Sequence, residues 1–279
     1  VRNNLFKAAV LEKLHEPFVI RHLEIPQNLS VGQVLVRIKY SGICGKNLIE
    51  QDGTLGADKY LPHLVGHESG GEVVAIGPGV KHVRIGNHVV AHWRKGAGIE
   101  SEPPKYWCPE LKREVGAGQI ATWGEMAVIS ENRLTKIPDD VPLDIAALFG
   151  CAVTTGLNCA FNDANLKPGQ SVVVFGCGGV GLNVLQGCSL VTAYPIAGVD
   201  IDNTKLQQAL VFGATSTFNS ATGEFYNPLP VHATQEQDAF GMTFDVAIDT
   251  TGNPKVIEWA WRIAKKVCLV AQVRHDRHI

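Results

Sequence analysis

The stretch Ser171-Val-Val-Val-Phe-Gly176-Cys-Gly178-Gly-Val-Gly181 is a five-residue apolar strand leading directly into G-x-G-x-x-G, with a helical segment, Leu182 to Leu190, beyond it. Gly176 permits a tight turn, Gly178 removes a Cβ that would keep a pyrophosphate from the backbone amides, and Gly181 lets the helix lie close to the strand. The helix start then offers unpaired N–H groups to a phosphate. A second apolar run, Ile196-Ala-Gly-Val199, ends in Asp200, about 20 residues beyond the glycines, where a ribose diol is expected. Strand, turn, helix and acid in this order predict an α/β, doubly wound dinucleotide-binding sheet. They place Gly176, Gly178, Gly179, Val180, Gly181 and Asp200 at the cofactor; a turn that merely connects strand to helix is the alternative. A carboxylate at Asp200 repels a 2′-phosphate and Asp202 adds to it, so NAD is expected over NADP, with Lys205 leaving a lesser route to NADP.

Around this stretch lie 279 residues, 45% apolar and 19% charged, which is the size of about two domains. Lysine plus arginine number 25 against 27 acids, and a net charge of −2 provides no field to attract a polyanion, so no nucleic-acid partner is expected. Seven cysteines are too sparse for a disulfide scaffold and suit free thiols or metal ligands in a reducing compartment. Pro168 to Val199 carries no Asp, Glu, Lys, Arg or His, but seven glycines, two prolines and polar Gln170, Asn183, Gln186 and Ser189 interrupt it. Such a segment reads as strand, turn, helix and strand, and no membrane span is expected. The start, Val-Arg-Asn-Asn before an alternating run from Leu5 to Leu11, resembles no signal segment, so a cytoplasmic location is expected.

From Phe6 to about Ile137 the chain is a series of short β-branched runs such as Gln33 to Lys39 and Gly71 to Ile76, separated by Gly and Pro turns. After Asp139-Asp-Val-Pro142 a helical stretch, Leu143 to Phe161, gives way to βαβ units. A mostly β domain, 1–154, is therefore expected before an α/β domain, 155–279, with the boundary inside the helix near residues 150 to 158.

Three residues in the first half suggest a metal. Cys44 lies in Ser41-Gly-Ile-Cys-Gly45, His67 and Glu68 lie in Leu64-Val-Gly-His-Glu-Ser-Gly70, and Cys151 opens Cys151-Ala-Val-Thr-Thr155. Two thiolates and an imidazole, with the fourth position left to water, form the Cys₂His set of a catalytic zinc. Such an open site lowers the pKa of bound water or alcohol toward about 7. Cys159, Cys177, Cys188 and Cys268 read as small core residues.

The order of a Gly-Ile-Cys-Gly turn, a Gly-His-Glu turn, Gly77-Pro-Gly-Val80 before Val83-Arg-Ile-Gly86, and the late glycine turn at Gly176 resembles the zinc-dependent medium-chain alcohol dehydrogenase family over nearly the whole chain. The resemblance implies a GroES-like partial barrel followed by a Rossmann domain, with the active site in the cleft between them. It implies Cys44, His67 and Cys151 as catalytic zinc ligands, Glu68 near or transiently on the metal, and Thr155 beside the nicotinamide. Thr251, after the fourth strand of the cofactor domain, joins the expected cofactor contacts. Small-molecule alcohol or carbonyl substrates and a homodimer or tetramer are implied as well.

The chain departs from the family at several points. After the first ligand it reads Gly45-Lys46-Asn47-Leu48-Ile49, where the family carries a Ser/Thr relay hydroxyl, a carboxylate and then a histidine. Lys46 stands for the relay, which it can serve only if desolvation lowers its pKa, a solvated surface lysine being the alternative, and Asn47 stands for the carboxylate that orients the histidine ligand. Between Gly86 and Gly150 only Cys108 is present, so one catalytic zinc and no structural zinc is expected. The segment from Ala91 to Cys108 offers Trp93, Tyr106 and Trp107 with Arg94 and Lys95, a composition suited to a polyhydroxylated substrate's entrance, with a solvated surface lobe as the commoner alternative. His82, His88 and His92 read as surface histidines. Phe244 to Asp249 and Val267 to Val270 match the fourth and fifth strands of the cofactor domain, after which the family continues well beyond Ile279. The domain is therefore expected to be incomplete at its C-terminus, leaving a sheet edge uncovered. Ala271-Gln272 replaces a glycine-containing turn beside the nicotinamide. The expected function is hydride transfer between an alcohol, with a sugar, polyol or cyclitol hydroxyl favoured, and NAD, assisted by zinc. The alternatives are a zinc-free quinone or enone reductase of the same fold and an inactive NAD-binding protein.

Overall fold

Period-two alternation builds the first half of the chain from short strands. In the computed structural model, which describes residues 4–54, 56–226 and 240–270, one unit runs to Cys151 and a second begins at Ala152, slightly before the break expected after residue 154. The first unit holds β1 (Leu5–Leu11), β2 (Val19–Glu24), β3 (Gln33–Ser41), α1 (Gly45–Gln51), β4 (His63–Leu64), β5 (Glu68–Ile76), β6 (His88–His92), β7 (Lys105–Cys108), β8 (Arg113–Gly116), β9 (Met126–Ser130), β10 (Leu134–Lys136) and α2 (Leu143–Leu148). Two five-stranded sheets result, in the orders β2-β1-β4-β8-β7 and β10-β6-β5-β3-β9, giving the GroES-like part of the fold. Phe6, Val10, Leu23, Tyr106 and Val115 fill one core, and Val34, Val36, Val73, Val89 and Ile129 the other. Each such side chain contributes roughly 1.5–3 kcal/mol by leaving water.

The ladder between β3 and β5 positions the site. It slips between Leu35 and Val36 and again between Ile38 and Tyr40, then closes with Ser41 opposite Ser69. That register lays the turn carrying Cys44 alongside His67 and Glu68, and the bulges give the sheet the coiling a partial barrel needs. A buried carboxylate ties down the neighbouring loops: Glu131 accepts from the backbone N–H groups of Lys81, His82 and Ile99 at 2.5, 2.8 and 2.9 Å.

The second unit is α/β. Its elements are α3 (Ala152–Asn158), β11 (Val172–Phe175), α4 (Gly179–Leu190), β12 (Ile196–Asp200), α5 (Asn203–Val211), β13 (Ser216–Asn219), β14 (Glu224–Tyr226), β15 (Phe244–Asp249), α6 (Pro254–Ile263) and β16 (Ala264–Leu269). The sheet order is β14-β13-β12-β11-β15-β16. Five strands run parallel and β14 joins antiparallel. Reading the parallel strands as third, second, first, fourth and fifth gives the Rossmann arrangement, with the chain reversing direction across the sheet at β11.

Three expectations need correction. The helical stretch from Leu143 to Phe161 is broken, because α2 ends at Leu148 and α3 starts at Ala152, passing into a π-helical turn at Cys159–Asp163. Tyr106 is no entrance residue: it is 1% exposed, packs edge-on against Phe6 and accepts the Val128 N–H at 2.8 Å. His88 and His92 are half-buried rather than on the surface, His92 with both ring nitrogens hydrogen-bonded and His88 with Nδ1 enclosed and unpartnered among the described residues. Cys159, Cys177 and Cys188 are buried, whereas Cys268 is half-buried. No helix among the described residues is long and apolar enough to cross a membrane.

Candidate metal and cofactor sites

Cys44, at the end of the β3 turn, is the N-cap of α1, and the reason is local. The Asn47 side-chain oxygen accepts the Cys44 N–H at 3.1 Å while the Asn47 N–H faces the Cys44 sulfur, a reciprocal capping box. His67 directly precedes β5, and Cys151 follows α2, which packs on β5. The approach is close because Gly150 has no side chain. A Cβ there would stand 2.5 Å from both the Ala91 carbonyl oxygen on β6 and the Glu68 Cβ on β5. Cys44 and His67 are half-buried and Cys151 is buried.

Ligand atoms of Cys44, His67 and Cys151 all lie within 4.8 Å of one another, and the two sulfurs are 3.9 Å apart. Tetrahedral zinc with Zn–S bonds of about 2.3 Å puts two thiolates about 3.8 Å apart, so the donor set fits that ion in chemistry and in spacing. Hydrogen bonds from Cys151 and His67, opposed by burial, bring the Cys44 thiol down to about 4. Cys151 is pushed up correspondingly, through its hydrogen bond to Cys44 and its burial. Burial lowers His67, but the Cys44 sulfur and the carboxylates of Glu68 and Glu50 outweigh it and raise the imidazole. Glu68, 5% exposed, is pushed up to about 6 by burial, against the pull of His67. It stands beside the trio, outside the group of mutually close donors.

Lys46 is half-buried, and the group it presents to Cys44 is its backbone N–H, which hydrogen-bonds the sulfur. Asn47 does not spend its oxygen on the histidine as expected; the oxygen caps Cys44, and Nδ2 is buried without a partner among the described residues.

A cavity of about 1180 Å³ in the first unit reaches His67. Its walls include Lys59, Tyr60, His63 and Arg113, which the sequence reading did not single out, and Lys105, which lies in the segment expected at an entrance. Trp93, Arg94, Lys95, Tyr106 and Trp107, expected to line an entrance, are not among its walls. His63 faces Asp58 through Nε2 at 2.8 Å and the Leu64 carbonyl through Nδ1 at 2.9 Å, and Lys105 pairs with Glu114 at 3.2 Å. Lys59 and Tyr60 come from one loop and His63, Lys105 and Arg113 from β4, β7 and β8, so no common spacing signal marks them in the sequence.

In the second unit, Gly176 leaves β11 with φ +86°, and a Cβ on Gly181 would overlap the Gly176 carbonyl oxygen. Around Gly178, the N-cap of α4, a Cβ would meet no protein atom within 4 Å. The motif's roles thus separate physically: Gly176 and Gly181 are glycine for the chain's sake, Gly178 for open space before a helix start. Val180 and Gly179 form the first turn of α4. Asp200 ends β12 half-buried, its Oδ2 accepting the Cys177 N–H at 2.8 Å and its Oδ1 the Ile201 and Asp202 N–H groups at 2.8 and 3.1 Å. Asp202 caps α5 through the Thr204 N–H, and Lys205 is exposed on that helix. Thr155 is half-buried on α3, which packs on α4. Thr251 donates its hydroxyl to Asp249 at 2.6 Å, and Thr250, which the sequence reading missed, touches the glycine turn instead. Ala271 and Gln272 lie outside the described residues.

Residues 30–139 match the family model of the alcohol dehydrogenase GroES-like domain, and residues 179–273 that of the zinc-binding dehydrogenases. The S-(hydroxymethyl)glutathione dehydrogenase of Paracoccus denitrificans is 32% identical over 277 residues, spanning 90% of this chain and 73% of that protein. The class-3 alcohol dehydrogenase of Dictyostelium discoideum is 30% identical, over 93% of this chain and 74% of its own length. Among solved structures, benzyl alcohol dehydrogenase from Acinetobacter calcoaceticus superposes with a TM-score of 0.80 at 24% identity, covering 98% of this chain and 79% of that one. Galactitol-1-phosphate dehydrogenase from Escherichia coli does so with a TM-score of 0.73 at 27% identity, covering 98% and 77%.

Proposed function

The chain belongs to the zinc-dependent medium-chain alcohol dehydrogenase family, and from that premise we propose that it interconverts an alcohol and its carbonyl with NAD as the hydride carrier. The observation that carries this reading is the convergence of two sulfurs and an imidazole within 4.8 Å. Cys44, His67 and Cys151 hold one catalytic zinc, with Glu68 beside it. When bound, zinc supplies Lewis acidity that stabilises negative charge developing on the substrate oxygen. The chain's own contribution is preorganisation. The capping box fixes Cys44, the Lys46 N–H and His67 favour its thiolate, and Gly150 lets Cys151 approach. Gly176 to Gly181, Asp200, Thr155 and Thr251 hold the dinucleotide, Asp200 and Asp202 excluding a 2′-phosphate despite Lys205.

The substrate in this reading is a sugar, polyol or cyclitol. The support is the cavity at His67, far larger than a short alcohol needs and walled by ion-paired and charged groups, among them Lys105 of the segment expected at the entrance. With none of its seven cysteines joined in a disulfide, the protein suits a reducing cytoplasm, and a homodimer or tetramer is its proposed assembly. The test is reduction of NAD and NADP across short alcohols, sugars and polyols, before and after zinc chelation and zinc return. Zinc-dependent NAD reduction with a polyol is expected. Activity indifferent to chelation, or confined to quinones and enones, would overturn the zinc reading.

A further inference from the structure

We propose that Thr250 is a positioning residue for the dinucleotide, holding the Gly176–Cys177 peptide in one orientation from behind the glycine turn; the inference rests on the dinucleotide reading above. Register places Phe175 of β11 opposite Asp249 of β15, so the residue after each strand meets the other. Thr250 donates its N–H to the Phe175 carbonyl at 2.9 Å, and its hydroxyl stands 3.0 Å from both the Phe175 and the Gly176 carbonyl oxygens. At the far end of the same peptide, the Cys177 N–H donates to Asp200 Oδ2 at 2.8 Å. One peptide plane is thereby gripped at both ends, by Thr250 at its C=O and by Asp200 at its N–H.

The grip matters because of what the turn is made of. Four of its six residues are glycine, which imposes few steric limits on rotation, so ordering such a segment at the moment of binding carries an entropic cost. An outside restraint that sets the peptide beforehand converts that cost into affinity. Thr250 is itself fixed by its neighbours. The fully buried Asp249 carboxylate accepts the Thr251 N–H and hydroxyl at 3.1 and 2.6 Å and the Gly252 N–H at 2.9 Å, which anchors the segment. Thr251 thus has its hydroxyl engaged, and Thr250 is the one turned to the glycines.

The test uses the full chain with Thr250→Val, which keeps the shape and removes the donor, and Thr250→Ser, which restores it. NAD affinity is read by calorimetry, KM for NAD against kcat by steady-state assay, and backbone exchange at Cys177 by mass spectrometry without ligand. Thr250→Val is expected to weaken NAD binding by about 3- to 10-fold, the worth of one net hydrogen bond. KM is expected to rise with kcat within about twofold, the Cys177 amide to exchange faster, and Thr250→Ser to match wild type. A purely structural role would lower the melting temperature while leaving NAD affinity and Cys177 exchange unchanged, and would overturn the inference. If Thr250→Val does not fold, Thr250→Ala, which removes the donor without placing a methyl against the turn, is read in the same three ways: weaker NAD binding with faster Cys177 exchange supports the inference, and unchanged values of both sink it. Wild-type protein that binds neither NAD nor NADP would overturn the dinucleotide reading and this inference with it, an outcome distinct from a Thr250→Val that binds normally.

Discussion

One methyl group at Gly150 is expected to open the zinc site. In Gly150→Ala the new Cβ stands 2.5 Å from the Ala91 carbonyl oxygen, 2.5 Å from Glu68 Cβ and 2.8 Å from Glu68 Cα. Carbon atoms in ordinary contact are at least about 3.5 Å apart, so the chain must yield about 1 Å. Neither neighbour can rotate away, because one is main chain on β6 and the other is attached directly to the main chain of β5. The movable partner is the segment carrying Cys151, whose sulfur must hold its place to within about 0.2 Å for a good zinc site. Overpacking of this kind costs about 1–3 kcal/mol, which for a unit of this size lowers the melting temperature by about 2–12 °C. Zinc affinity is expected to fall by about 10- to 100-fold, the usual effect of disturbing the support behind metal ligands. The assay is competition with a chromophoric chelator, alongside metal content and thermal unfolding. Gly118→Ala, where a Cβ meets nothing nearer than 3.7 Å, serves as control. A Gly150→Ala protein that holds zinc at wild-type affinity would refute the packing argument.

Other outcomes follow from the same geometry. Glu131 is held below the usual carboxylate range because its three backbone N–H bonds outweigh burial. Its contribution to stability is therefore complete above the unfolded value and lost as pH falls through the lower folded one. Glu131→Gln leaves the Ile99 N–H facing an amide nitrogen, at a cost of about 1–3 kcal/mol. The melting-temperature gap from wild type should be constant near neutrality and close as pH falls below the ordinary carboxylate range; a gap indifferent to pH would contradict the assignment. In zinc-free protein at pH 7, iodoacetamide should label Cys44 first, since its thiol lies at about 4 while burial pushes Cys159, Cys177 and Cys188 up to about 12. Added zinc should protect it, and mass spectrometry finding Cys177 or Cys188 labelled ahead of Cys44 would count against the trio's electrostatics. Asp200→Asn, which keeps an acceptor for the Cys177 N–H but removes the charge, should narrow the NAD-over-NADP preference by on the order of 10-fold. An unchanged ratio would remove Asp200 from cofactor selection.

Much of the second unit was legible before folding because its signals are short-range. The run ending at Phe175, the glycine turn and the acid closing β12 lie within 30 residues of one another, and each is set by local sterics. The same holds for β1, whose ends the alternation marks correctly, while β15 falls where the family resemblance implied a fourth strand. Periodicity failed where a neighbour overrode it. The helical pattern from Leu143 to Phe161 is continuous in sequence, yet the close approach of Gly150 to β5 and β6 coincides with the break between α2 and α3.

Residue chemistry nominated Cys44, His67 and Cys151, but their meeting depends on facts with no local signature: the double slip of β3 against β5, and a glycine opposite Glu68. Within the aromatic segment Tyr106 was misjudged, because exposure is a property of packing. Tyr106 and Trp107 are adjacent in sequence, yet the pleat of β7 buries the first and leaves the second 45% exposed. Likewise Thr250 and Thr251 are identical in type, and only the parallel register of β11 with β15 decides which hydroxyl reaches the glycine turn. Sequence determined the elements and the donor chemistry, because backbone propensity acts over a few residues; tertiary structure decided which side chains converge, because contacts between distant segments are set by strand register and the room left between chains.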